Sequence, residues 1–216
     1  MDDQGFDRLA RGLAGGTSRR LLLGSAVAGA ATLAGVQLGA AKKKGGTCRS
    51  VSRLKGTAKK SKTQKGWYTA TAVVPNAKYG NLNFKVPGKT TFADITGLSS
   101  DFAFGMGSPA DHCGAGSPRF VVFLKNGRCP YVQFPPNLCN TVGAEGNTGE
   151  LVGDNTPWVW IDDLCGSTTG AHTYDGVLAE YATEKVKKIV LVTDSSNGVS
   201  DGDTTTVELK PCVTLA

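Results

Sequence analysis

The chain has 216 residues, 40% of them apolar and 19% charged, with 29 glycines and a formal net charge of +6. That length allows one sizeable hydrophobic core or at most two small ones. The balance excludes wholesale disorder, which goes with low hydrophobicity and a high charge content.

Residues 1–41 read as an export signal. Thr17-Ser18-Arg19-Arg20-Leu21-Leu22-Leu23 is followed by a charge-free run, rich in Ala and Gly, that reaches Ala41. Small residues at Gly39-Ala40-Ala41 supply a cleavage site just before Lys42, so the order is that of a cleaved secretory signal. Arg19-Arg20 followed by leucines resembles the twin-arginine signal, whose partner is the twin-arginine export machinery. An uncleaved anchor is the alternative, because the run from Leu21 to Ala41 is about long enough to span a bilayer.

Next comes an arm over residues 42–66. From Lys42 to Lys65 there are ten Lys or Arg and no acidic residue, whereas the remainder to Ala216 carries ten basic and fifteen acidic residues. The arm has no apolar period and is rich in Gly, Ser, Thr and Lys, so a flexible segment is expected. It serves as a soluble spacer or as a contact to anionic surfaces, including membrane headgroups. It contains no aromatic residue, and single-strand binders use stacking platforms, so no specific nucleic acid is expected.

The body, residues 67–216, alternates apolar residues with turn signals. Strands are expected at Trp67 to Val74, Leu82 to Val86, Thr91 to Leu98 and Phe102 to Phe104. Arg119 to Lys125 and Arg128 to Phe134 flank Asn126-Gly127, a strong hairpin signal, and Pro130 suits a sheet edge. Further strands are expected at Trp158 to Ile161, Ile189 to Val192 and Thr204 to Leu209. One helix is expected from Tyr174 to Val186. Many short strands and few helices indicate an all-β fold, an antiparallel two-sheet sandwich of jelly-roll type with one short helix.

All six cysteines, Cys48, Cys113, Cys129, Cys139, Cys165 and Cys212, lie beyond the signal. Their even number and wide spacing, with no C-x-x-C pair, fit three disulfides in an oxidising compartment rather than zinc. Six cysteines permit fifteen pairings, and the spacing selects none of them. A signal at Arg19-Arg20, a basic spacer and a cysteine-bearing β-rich body resemble, in overall layout, exported bacterial β-sandwich proteins with a twin-arginine-type signal peptide. The resemblance implies a secreted sandwich module and supplies no site residues.

Candidate chemistry is sparse. The only histidines are His112 and His172, and no G-x-S-x-G elbow occurs. A Cys113–His112 dyad competes with a disulfide cysteine beside a loop histidine. Asp162-Asp163 offers paired carboxylates for glycoside hydrolysis, or simply a strand end entering a turn. Asp194, Asn197, Asp201 and Asp203 crowd oxygen ligands into ten residues, so Ca²⁺ is the one cofactor considered, against a solvated hairpin turn. Trp67, Trp158 and Trp160 are candidate sugar-stacking residues, against burial between layers. Arg119, isolated in an apolar strand, is expected to pair with a carboxylate or to bind an anion.

The leading expectation is a non-catalytic secreted module that binds a cell-wall or extracellular polysaccharide or another surface component. The alternatives are a glycan hydrolase using Asp162 or Asp163, and a structural envelope protein held by its basic arm.

Overall fold

The computed structural model describes residues 46–73, 78–114, 117–155, 159–162, 168–194 and 203–216, with the backbone alone at 159–162 and 168–171. The signal segment, Trp158, Asp163, Cys165, Asn197 and Asp201 lie outside the described residues. Among the described residues no helix is long and apolar enough to cross a membrane.

Among the described residues twelve strands form two antiparallel sheets, and the expected two-sheet sandwich is borne out. They are β1 (Val51–Gly56), β2 (Lys59–Lys60), β3 (Tyr68–Val73), β4 (Gly80–Phe84), β5 (Ile95–Phe104), β6 (Arg119–Leu124), β7 (Cys129–Gln133), β8 (Glu145–Asn147), β9 (Val159–Asp162), β10 (Thr168–His172), β11 (Val186–Thr193) and β12 (Thr204–Leu215). One sheet runs β1-β4-β11-β6-β7-β9-β10 and the other β2-β3-β12-β5-β8. The described residues also form the one-turn α1 (Pro136–Cys139) and α2 (Tyr174–Tyr181).

Period-two alternation builds the core. Leu82 and Phe84 of β4, Phe120, Val122 and Leu124 of β6, and Ile189 and Leu191 of β11 are buried on one side of the interior. Leu98, Phe102 and Phe104 of β5 and Val207, Leu209 and Val213 of β12 meet them from the other. Phe134 joins the two layers, with its ring centroid 6.2 Å from Phe120 and 5.9 Å from Phe102. Aromatic pairs at such distances add to the stabilisation from area burial.

The chain before residue 67 departs most from expectation. From Gly46 onward the basic segment is not a flexible arm but part of the sandwich. β1 pairs with β4 at the edge of one sheet, and β2 pairs with β3 at the edge of the other. An edge strand needs a ladder on one side only and tolerates exposed lysines, so a charged sequence with few apolar residues suffices. Val51 and Leu54 pack partly against the core. The Cys48–Cys212 disulfide and the bond from Arg49 N–H to the Val213 carbonyl fix the entry to β1.

The chain changes sheets at Gly56-Thr57-Ala58. Gly56 has φ +63°, and a Cβ there would overlap the Tyr79 carbonyl oxygen. Next to it, the Thr57 hydroxyl donates to the Thr71 carbonyl and accepts from the Thr71 N–H.

Two other expectations are corrected. The strand holding Pro130 is interior, between β6 and β9, rather than at an edge. The β6–β7 ladder runs from Arg119 opposite Gln133 to Val121 opposite Tyr131, and Pro130, without an N–H, falls just beyond it. The helix expected to reach Val186 stops at Tyr181, because carbonyls past its end bond the 3-10 turn at 92–94. Ala93 N–H donates to the Ala182 carbonyl and Phe92 N–H to the Glu184 carbonyl, which frees Val186 to begin β11. The hairpin at Asn126-Gly127 is borne out: Gly127 has φ +93° and its N–H donates to the Leu124 carbonyl.

Candidate functional site

The concave surface lies on the outer face of the five-stranded sheet. In β12, β5 and β8, residues Lys210, Asp101 and Asn147 fall opposite one another in register. The Lys210 ammonium sits 3.1 Å from Asp101 Oδ2, and the Asn147 amide donates to Asp101 Oδ1. The Asn147 hydrogen bond, together with Lys210, holds the Asp101 carboxyl below the usual aspartate range against the opposing effect of burial. Three long-range residues thus form one continuous polar row.

This row floors a groove of about 410 Å³. Cys48, Arg49 and Ser50 wall it on the disulfide side, and Gly66 and Tyr68 line it as well, flanking Trp67. The groove exists because the segment before β1 is stapled across the sheet face at Cys212. A second hollow, of about 470 Å³, shares Arg49 and Ser50 and is lined by Ser52, Lys85 and Pro87.

The residues singled out by sequence separate widely. Trp67 is half-buried beside the groove. Trp160 lies on β9 opposite Tyr131, in the seven-stranded sheet, whereas Trp67 directly precedes β3 of the five-stranded sheet. Asp162 ends the same strand, opposite Cys129 and Thr168. Arg119 meets the carboxylate expected for it: Nη1 donates to Asp194 Oδ1 at 2.9 Å and Nη2 to Oδ2 at 2.6 Å. This fork commits both oxygens of Asp194, the first of the four residues considered for Ca²⁺. Asp203 is half-buried just before β12. No group of three or more metal-ligating side chains occurs among the described residues.

Cys113 is bonded to Cys139, which removes it as a nucleophile beside His112. The His112 ring nitrogen Nδ1 instead lies 2.8 Å from the Cys113 carbonyl. Cys129 is disulfide-bonded too, and no described cysteine is free.

Sequence reasoning also missed Asp111, a buried carboxylate that organises the loop at 105–111. Its Oδ2 accepts from the N–H groups of Gly107 and Ser108 at 2.9 Å each, and its Oδ1 from Thr206 N–H at 2.6 Å. With three backbone donors satisfied, it holds the loop against β12 and has a structural explanation.

No family model matches the chain, and no curated protein matches it. Among solved structures it is similar to the binding domain of botulinum neurotoxin DC in complex with rat synaptotagmin II, with a TM-score of 0.31 and 8% identity. That match covers 76% of this chain and 42% of the other, so the chain spans less than half of its length.

Proposed function

We propose that the chain is a non-catalytic module that binds a glycan in the groove beside the Cys48–Cys212 disulfide. The observation that carries this reading is the Lys210–Asp101–Asn147 row. A pre-ordered row of donors and acceptors, with Tyr68 at its margin, suits the hydroxyls and apolar faces of sugar rings.

Export fits the same reading. The disulfides favour an oxidising compartment, and the signal at Arg19-Arg20, cleaved near Ala40-Ala41, would deliver the sandwich there. The partner would be a cell-wall or extracellular polysaccharide.

Retention of the disulfide-bonded chain on insoluble cell-wall and plant polysaccharides, with a glycan array for the smaller units, tests the reading. Asp101→Ala should lower retention about tenfold, the scale of one lost charge-assisted contact. Retention on none of these polymers, or an Asp101→Ala variant that binds like the parent, would overturn it.

A further inference from the structure

The seven-stranded sheet carries a second surface of different chemistry. Five neighbouring strands, β1, β4, β11, β6 and β7, contain no Asp or Glu. Their outer face holds Arg53 and Lys55 on β1, opposite Asn83 and Asn81 of β4. Lys188 follows on β11, opposite Phe123 of β6. Since Ile189 faces Phe84, the next position brings Lys188 level with Lys85, one strand spacing of about 4.8 Å away. Lys187 is exposed beside it.

Among the described residues no carboxylate pairs with Arg53, Lys55, Lys85, Lys187 or Lys188. These cations repel one another. Burial lowers the pKa of Lys188, and the positive charges of Lys55 and Lys187 lower it further. Repulsion of this kind costs the free protein stability, and a bound anion relieves it.

We infer that the outer face of β1, β4 and β11 is a second binding surface, and that its ligand is a linear acidic polysaccharide carrying carboxylates. Four observations select that chemistry. The cations spread over three neighbouring strands, so the surface reads charge along a chain rather than the shape of a small anion. Four of its five cations are lysines, which act as hydrated point charges, whereas forked phosphate recognition favours arginine. Asn83 stands between the cations: its amide nitrogen donates to the Arg53 carbonyl, which leaves its side-chain oxygen to accept from a hydroxyl group. Two of the aromatic rings nearby already carry cations: the Lys188 ammonium lies 3.9 Å from the Phe123 centroid and the Arg119 guanidinium 4.9 Å from that of Tyr131. Among the described residues that leaves the exposed ring of Tyr79, just before β4, as a lone platform, short of the successive rings on which single-strand binders stack unpaired bases.

Polygalacturonate, neutral dextran and single-stranded DNA serve as probes for the disulfide-bonded chain. Polygalacturonate should bind, with an affinity that falls steadily as salt rises, and dextran should not. The double variant Lys55→Glu/Lys85→Glu should lose roughly tenfold in affinity and flatten the salt dependence. Lys55→Gln/Lys85→Gln, which adds no repulsion, should lose about fivefold and covers the case in which the glutamates disturb β1. A charge-matched control on the other sheet, Lys59→Glu/Lys60→Glu, should stay within about twofold of the parent. Lys55→Gln/Lys85→Gln should leave retention on neutral insoluble polysaccharide unchanged, which separates this surface from the groove. Equal losses in the two lysine pairs, no loss in the first, or tighter binding of DNA than of polygalacturonate would overturn the inference.

Discussion

The two sheets share one core but present opposite chemistry to solvent. The five-stranded sheet mixes charges on its outer face: Glu208 and Lys210 on β12, Asp101 on β5 and Glu145 on β8. There the charges neutralise one another, as in the Lys210–Asp101 pair, and the result is an ordered groove. The outer face of β1, β4 and β11 in the seven-stranded sheet has cations without a carboxylate partner among the described residues. Internal pairing makes a surface that reads hydrogen-bond geometry, whereas unpaired charge makes one that reads net charge. Both depend on the segment before β3, which contributes an edge strand to each sheet.

The largest expected effect comes from removing the link that builds the groove wall. Cys48 and Cys212 are 164 residues apart. The chain-entropy estimate for so long a loop is about 5 kcal/mol, and measured losses run from about 2 to 5 kcal/mol. Cys48→Ser/Cys212→Ser should therefore lower unfolding stability by that range in a denaturant titration. In amide exchange, Arg49, whose N–H donates to Val213, should lose protection while the β12–β5 ladder keeps its own. Glycan retention that survives the double variant would show that the groove does not need its disulfide wall.

Gly56, at the crossing between the sheets, should come next. Its φ of +63° and the Tyr79 carbonyl oxygen, which stands where a Cβ would project, leave no space for alanine. Gly56→Ala combines left-handed backbone strain with displacement of a backbone carbonyl, a cost of roughly 3 kcal/mol. Thermal unfolding reads the loss. Acidic-polysaccharide binding should also fall, because β1 carries Arg53 and Lys55. A stable variant with normal binding would mean that β1 holds its place without the tight crossing.

How far the sequence revealed this arrangement depends on the range of each signal. The β6–β7 hairpin was legible because Phe120 to Leu124 is a continuous β-rich run and Asn126-Gly127 marks the turn locally. β1 and β2 were not, because a stapled edge strand rich in Lys reads like a solvated spacer. Arg119 was expected to meet a carboxylate, but only the fold brings Asp194 to it across 75 positions. The groove row was least legible of all. Asp101 is 46 residues from Asn147 and 109 from Lys210, so neither pattern nor spacing announces their meeting. Trp67 was noticed for its ring, and it proves to be a neighbour of the site through Gly66 and Tyr68.

The smallest effect discriminates best between the two outer edges. Because the folded-state pKa of Asp101 is depressed, its contribution to stability is present above the ordinary aspartate pKa and is lost as pH falls through the lower, folded value. The carboxylate is part-exposed and screened, so the expected loss is only about 0.5 kcal/mol. Protonation weakens the bond that Asn147 donates and removes the counter-charge of Lys210. β8 is a three-residue edge strand, and its ladder to β5 runs through the Asp101–Asn147 pair. It should therefore exchange its amides faster as the solution becomes strongly acidic. β1 is also an edge, but neither it nor β4 contains a carboxylate, so its protection should stay constant over the same range. Parallel loss at both edges would trace the acid response to general weakening of the fold rather than to the Asp101 row. Loss confined to β8 would place the acid-sensitive charge on the groove side of the sandwich alone.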